Sequence, residues 1–388
     1  MATPSPNLPG DERAVAGLVT EALAERGLPA PTVLAKESHR PNLVVTLDFG
    51  PGGRTLCLSG HLDTKPVGAA VWRTDPLTPT VDGDRLYGLG TCDMKGAVAA
   101  MIEAAAAAAA AGLRRGRLSL LFTADEENAA AYGARFLAEN DAVDADAVLI
   151  GEPGGIEHDW DTLHLVSRGI TNFTVDVRGD QGHSSLTDRR PMTSATHEMA
   201  RLLLAFADGF SPSAPTHPLL PGGATVNAGV LVSGGVGFGV SPGLASFAVD
   251  VRLMPGMDQE TFTAELQAFL DAAAAARPTL RASVRFEDPP RDWLPPTEVP
   301  TDHPLVAATS SALGEVLGNA PPASVFPGTT DAAWLQGLAG IPTLPACGPG
   351  LLSSAHGADE YVRIPALGEA YEVYRRVIAR YCPEQDDG

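Results

Sequence analysis

The sequence predicts an α/β domain interrupted by a smaller α+β domain, and three observations predict it. Over roughly the first 165 residues, short apolar runs bounded by Gly and Pro alternate with helical spacing, as in an α/β sheet covered on both faces. From about Gly169 the runs change to two-residue alternation, as in sheets with one face on a core. Beyond Pro289 and Pro290 helical spacing returns. We therefore divide the chain into a first domain of residues 1–168 and 288–388 and an inserted domain of residues 169–287.

The elements follow in order. Asp11 to Ala24 places Val15, Leu18, Val19, Ala22 and Leu23 on one helical face. Leu43 to Leu47 and Thr55 to Ser59 are short apolar runs, hence strands. Gly96 to Gly112 is Ala-rich and bounded by glycines, a helix able to pack closely. Leu118 to Thr123 and Ala147 to Ile150 have the composition of buried strands. In the insert, Phe173, Val175 and Val177 alternate with polar residues, as do Phe247, Val249, Val251 and Leu253. Two amphipathic helices are expected there, one with Met199, Leu202, Leu203 and Phe206 and one with Phe262, Leu266, Phe269 and Leu270. Together they predict a four-stranded antiparallel, ferredoxin-like α+β unit. The 212–223 stretch, rich in Pro and Gly, reads as a surface loop. Leu305 to Leu317 and the series Leu367, Tyr371, Tyr374, Ile378 and Tyr381 give helices that return to the first domain.

Composition narrows the function. The chain has 388 residues and a net charge of −20, which opposes nucleic-acid and anionic-membrane binding. Most of that excess is a solvated acidic surface. No apolar run reaches the ~18–20 residues of a membrane span, and the start Met-Ala-Thr-Pro-Ser-Pro lacks the pattern of a secretory signal. Cys57, Cys92, Cys347 and Cys382 form no CxxC pair and no disulfide framework, so a reducing cytoplasm is expected.

Several polar residues fall where apolar runs end. In Gly60-His61-Leu62-Asp63-Thr64, His61 has a ring nitrogen to offer a metal and Asp63 stands two residues on, able to orient the imidazole. Asp93, in Gly90-Thr91-Cys92-Asp93-Met94-Lys95-Gly96, precedes the Ala-rich helix, where N–H groups stabilise a carboxylate; helix capping is the plain alternative. Cys92 reads as a small buried residue. Three acids, Asp125, Glu126 and Glu127, follow the apolar Leu120-Leu121-Phe122. Adjacent residues point to different sides, so one glutamate can bind metal while its neighbour serves as general base. Glu152 follows the run ending at Ile150, and His356 lies in the late Ser-Ala-His-Gly segment. Two histidines and several acids at strand ends of one α/β domain suit a divalent metal, zinc first and cobalt or manganese next.

The ordered set GHLDT, GLGTCDMKG, TADEE, IGEP and SAHG resembles the M20 family of metallopeptidases and deacylases over nearly the whole chain. The GTCDMKG and IGEP spellings lean toward its acetylornithine deacetylase branch, near the succinyl-diaminopimelate desuccinylases. The resemblance implies a zinc-peptidase-like catalytic domain and, for the insert, a lid and dimerisation domain. It implies that His61, Asp93 and Glu152 hold one zinc and that Asp93, Glu127 and His356 hold another. Asp63 would support His61, and Glu126 would be the general base. His183, in Gly182-His183-Ser184, would polarise the substrate carbonyl, in many dimeric members from the other subunit. Asn227 and Arg252 lie where the family contacts substrate, and Gly328-Thr329-Thr330-Asp331 resembles its substrate-binding loop; an Arg there suits a carboxylate, and a salt bridge with Asp250 is the plain alternative for Arg252. Two departures flank the site: Gly154 replaces the usual Thr, and the stretch after the acids, Asn128 to Tyr132, lacks the usual Gly.

The expected reaction is hydrolysis of the amide bond of an N-acyl amino acid by metal-activated water. A dipeptidase or carboxypeptidase on the same scaffold is the nearest alternative, and an N-carbamoyl amidohydrolase is further away. A metal-free binding protein of the same fold is the alternative of another class, opposed by the complete ligand set. A phosphatase or nuclease is disfavoured by the acidic charge and the lack of a phosphate-binding loop. The expected partners are a small N-acyl amino acid or short peptide and a second copy of the chain, with no nucleic acid and no membrane.

Overall fold

The computed structural model describes residues 3–383; the first two residues of the N-terminal reading and the last five of the 288–388 segment lie outside them. The chain forms two compact units, Met1–Ser167 with Thr297–Gly388, and Arg168–Pro296.

The first unit opens with helix α1 (Arg13–Glu25), which buries Val15, Ala16, Val19 and Leu23. Strands β1 (Thr32–Leu34), β2 (Asn42–Gly50) and β3 (Thr55–His61) follow. Helix α2 (Gly96–Ala110) leads to β4 (Gly116–Thr123), α3 (Ala134–Glu139) and β5 (Ala147–Ile150). Every residue of β3 is buried, as expected of a continuous apolar run between two neighbours. By contrast β2, nearer the edge, partly alternates buried and exposed positions.

The second unit contains β6 (Ile170–Arg178), α4 (Ala195–Gly209), β7 (Thr225–Gly234), β8 (Leu244–Arg252), α5 (Gln259–Ala276) and β9 (Arg281–Phe286). Its sheet runs β7-β8-β6-β9, and all pairs are antiparallel, a ferredoxin-like βαββαβ arrangement. The alternating residues of β6 and β8 meet Met199, Leu202 and Phe206 of α4 and Phe262, Leu266 and Leu270 of α5 in one core. Ser194 and Asp258 cap the two helices by accepting N–H groups of their first turns. The exit lies nine residues beyond the sequence-based position of 287, at Pro296. Ile170 and Leu294 exchange backbone hydrogen bonds of 2.9 and 2.8 Å, which ties 288–296 to the insert independently of side-chain pattern.

The chain then completes the first unit with α6 (Pro304–Leu317), α7 (Ala332–Leu335), β10 (Thr343–Leu344) and α8 (Ile364–Tyr381). The six-stranded sheet has the order β1-β2-β4-β3-β5-β10. The pairs β4-β3, β3-β5 and β5-β10 are parallel, and the β1-β2 and β2-β4 pairs are antiparallel. Helix α8 buries Ala366, Ala370, Val373, Tyr374, Val377 and Ile378 and packs against α2 and α6. No helix among the described residues is long and apolar enough to cross a membrane.

Candidate metal centre

Three adjacent parallel strands, β4, β3 and β5, end on the same edge of the sheet, where ligand sites of such sheets lie. His61 is the last residue of β3, with Asp63 two residues on. Asp125, Glu126 and Glu127 follow Thr123, the last residue of β4. Glu152 stands two residues after the end of β5. The irregular turn Thr91–Lys95 lays Asp93 over these ends before α2 begins. Close approach is required here. A Cβ on Gly60 would come within 2.7 Å of Met94, and one on Gly151 within 2.8 Å of Ala97. His356 arrives from a loop in the left-handed region, φ 60°.

Asp93 is shared between the two histidines. Its Oδ1 lies 2.8 Å from His61 Nε2, and its Oδ2 lies 3.0 Å from His356 Nε2. Glu152 flanks His61, Oε1 to Nε2 at 3.4 Å, and Glu127 flanks His356, Oε2 to Nε2 at 3.1 Å. His61 Nδ1 is 3.0 Å from the Asp63 carbonyl oxygen, to which it donates, so Nε2 is the ring nitrogen turned toward the acids. Asp93 therefore meets imidazoles; no side chain caps α2. His61, Asp93 and Glu127, and separately His61, Glu126 and Glu152, bring ligand atoms within 4.8 Å of one another.

The charges call for a cation. Burial, with the Glu152 charge, pushes Glu126 well above the usual carboxyl range, and no hydrogen bond contributes to the shift. Burial, with Asp93, pushes Glu152 up to about 7. Burial opposes protonation of His61, yet Asp63, Asp93 and Glu152 hold it well above its ordinary value. Asp93 and Glu127 raise His356 to about 10. Burial acts against Asp93 too, but the two histidines keep it below the usual range. Acids crowded this closely fit a positive charge between them, and the mixed N/O donor set suits a divalent ion.

Sequence reasoning missed three supporting residues, Asn7, Glu360 and Lys65, and placed a fourth, Asp331, only in the loop expected to meet substrate. Asn7 Nδ2 donates to Asp63 Oδ2 at 2.8 Å and to Asp125 Oδ1 at 2.9 Å. Nothing local to Asn7 signals this, because the partner acids lie 56 and 118 residues away. Glu360 accepts the backbone N–H groups of Cys92 and Asp93 at 3.0 and 3.1 Å and so fixes the Asp93 turn. It stands four residues after His356, the one clue available. Asp331 is buried, accepts Thr123 Oγ1 at 2.7 Å, and is pushed by burial up to about 7. It directly follows Gly328-Thr329-Thr330. Lys65, directly after the GHLDT segment, pairs with Glu127 at 3.0 Å.

Of the residues expected to meet substrate, Gly328 has its carbonyl bonded to Ser167 Oγ at 3.0 Å, beside Thr329. His183, Asn227 and Arg252 belong to the second unit. His183 is exposed, and its Nδ1 is 2.9 Å from Ser185 Oγ. Asn227 is exposed on β7. Arg252 pairs with Asp250 through Nε at 2.9 Å and Nη2 at 3.1 Å, the salt bridge weighed in the sequence. The two departures also have local counterparts. A Cβ on Gly154 would come 3.1 Å from the Gly348 carbonyl oxygen. In the stretch after the acids, Ala129 and Ala130 occupy the left-handed region, φ 69° and 57°. Glycine adopts that conformation more easily.

The model of peptidase family M20/M25/M40 matches residues 57–380. The chain belongs to this family. An acetylornithine deacetylase of Photorhabdus laumondii is 30% identical over 361 residues, 91% of this chain and 85% of that protein. A succinyl-diaminopimelate desuccinylase of Xanthomonas euvesicatoria is 32% identical over 343 residues, 86% of each. Among solved structures, an M20 family metallo-carboxypeptidase from Sulfolobus solfataricus has a TM-score of 0.76 at 20% identity, covering 98% of this chain and 97% of that one. Human carnosine dipeptidase 1 has a TM-score of 0.67 at 18% identity, covering 94% and 89%. Membership of M20 makes the chain a hydrolase acting on amide bonds.

Proposed function

We propose that the chain removes the acyl group from an N-acyl amino acid, with two divalent ions, zinc first, at the carboxyl edge of the sheet. The observation that carries this is the division of Asp93 between two histidines, with a glutamate beside each. His61, Asp93 and Glu152 would hold one ion, and Asp93, Glu127 and His356 the other. Bound there, the pair supplies an acidified water and positive charge for the carbonyl oxygen.

The residues do the rest. Glu126, half-buried and, among the described residues, with no hydrogen bond to its carboxylate, takes the proton of the attacking water and returns it to the leaving amine nitrogen. Asp63 holds His61 on one side and the backbone of Glu126 and Glu127 on the other. For His183 the polarising role rests on its motif, and replacing it by Ala should lower kcat by about 10²–10³ while leaving metal content intact. The names of the relatives at or above 30% identity favour a deacylase over a peptidase.

We infer a homodimer formed through the insert. Strand β7 is the edge of its sheet and exposes Val230, Leu231 and Val232, with Val236 and Phe238 exposed beyond it. An open apolar edge invites pairing. All four cysteines are buried and free, which suits a reducing cytoplasm. Turnover of N-acetyl, N-formyl and N-succinyl amino acids and of a dipeptide panel by zinc-loaded protein tests the substrate. Cleavage confined to dipeptides would replace the deacylase reading with the peptidase one.

A further inference from the structure

The two halves of the centre differ in one charge. Around His61, Asp93 and Glu152 the only groups able to carry positive charge within ion-pair distance, among the described residues, are the imidazoles of His61 and His356. Around Asp93, Glu127 and His356 there is also an ammonium. Lys65 Nζ lies 3.0 Å from Glu127 Oε2, the oxygen that also meets His356, and it donates to the Glu127 main-chain carbonyl as well. The other lysine nearby, Lys95, is buried and donates to the Thr3 carbonyl at 2.9 Å. Arg40 is engaged by Glu12 and Asp125. Lys65 is about one-third exposed, so its side chain has room to swing away.

We propose that Lys65 makes the two cation positions unequal, by holding its ammonium on the Glu127 oxygen that the second ion needs. This rests on the two-ion reading of the site. A divalent ion entering beside Glu127 must displace the ammonium or tolerate it at short range, and like charges at that separation repel strongly. The ion beside His61 and Glu152 meets no such competitor. The chain therefore fills the His61 position first and the His356 position at higher metal concentration. Glu127 does not depend on the ammonium for its orientation, because its other oxygen, Oε1, accepts the Lys65 backbone N–H at 3.1 Å, a bond that Met or Arg at 65 retains.

The test is calorimetric titration of the full, metal-stripped chain with zinc chloride, for the native protein, Lys65→Met and Lys65→Arg. The native protein is expected to bind two ions in separated steps. Lys65→Met should tighten the second step about tenfold or more and leave the first within about threefold, while Lys65→Arg keeps the native separation. An unchanged or weakened second step in Lys65→Met, with two ions still bound, would overturn the proposal and leave the metal centre standing. Absence of zinc uptake by all three proteins, each with a native circular dichroism spectrum, would remove the metal centre itself and this inference with it.

Discussion

Asp63 Oδ1 accepts the backbone N–H of Glu126 at 3.2 Å. The carboxylate that lies 3.6 Å from His61 Nδ1 thus also anchors the residue assigned as general base. Its other oxygen takes the Glu127 N–H at 3.1 Å and the Asn7 amide at 2.8 Å. One side chain therefore joins the ends of β3 and β4 and sets the spacing between ligand and base.

Replacing Asp63 by Ala leaves those buried donors without their acceptor. Each orphaned group costs about 1–3 kcal/mol, and loss of a carboxylate behind a metal-binding His typically costs about 10–100-fold in affinity or activity. Thermal unfolding and kcat of the variant check both effects. Native values for both would contradict the positioning role.

Glu126→Gln keeps the shape of the side chain and removes its ability to carry a proton. Activity should fall by about 10²–10⁴, with zinc content unchanged by elemental analysis. Loss of zinc in step with activity would instead make Glu126 a ligand, which its proximity to His61 and Glu152 makes worth separating.

Without metal, stability should fall as pH rises. His356 is raised to about 10, and Glu152, Asp331 and Glu360 to about 7. Each folded-state value lies above the ordinary one, so the folded state binds more protons than the unfolded state and is favoured at lower pH. The carboxyl contributions are lost between about pH 4 and 7. The His356 contribution is full below about 6.5 and disappears as pH passes 10. Asp93 shifts the other way and acts only as pH falls below about 4. Zinc takes neutral imidazole and ionised carboxylate, so its binding expels these protons. The rise in Tm on adding zinc should be larger at pH 8 than at pH 5, with proton release in weak buffer. An equal rise at both would contradict the assignment.

Leu231→Asp places a charge in the middle of the exposed apolar stretch of β7. Light scattering should then report a monomer where the native chain gives a dimer. A dimer that survives this change uses another surface.

Much of the candidate centre was legible because His61, Glu127 and Glu152, proposed as ligands, stand where buried strands stop. An apolar run such as Leu120-Leu121-Phe122 followed at once by acids has one structural meaning, the rim of a core. For Asp93 the sequence position gives an incomplete reason, since its carboxylate meets the histidines, while Glu360 fixes its turn. Asn7 acts through the fold, from a position whose neighbours in sequence carry no periodic or spacing signal, and Glu360 has only its closeness to His356 to mark it. The exit of the insert was misplaced for a related reason. The Ile170–Leu294 pairing is made by backbone groups, which every residue but Pro supplies in full, so side-chain alternation does not report it.

Anomalous diffraction at the zinc edge, from crystals of the zinc-loaded chain, tests the central claim most directly. We predict two peaks about 3.5–4 Å apart astride the Asp93 carboxylate. One should lie about 2.0–2.2 Å from ligand atoms of His61 and Glu152, the other equally close to Glu127 and His356. A single peak, or a pair that leaves Asp93 unshared, would contradict it.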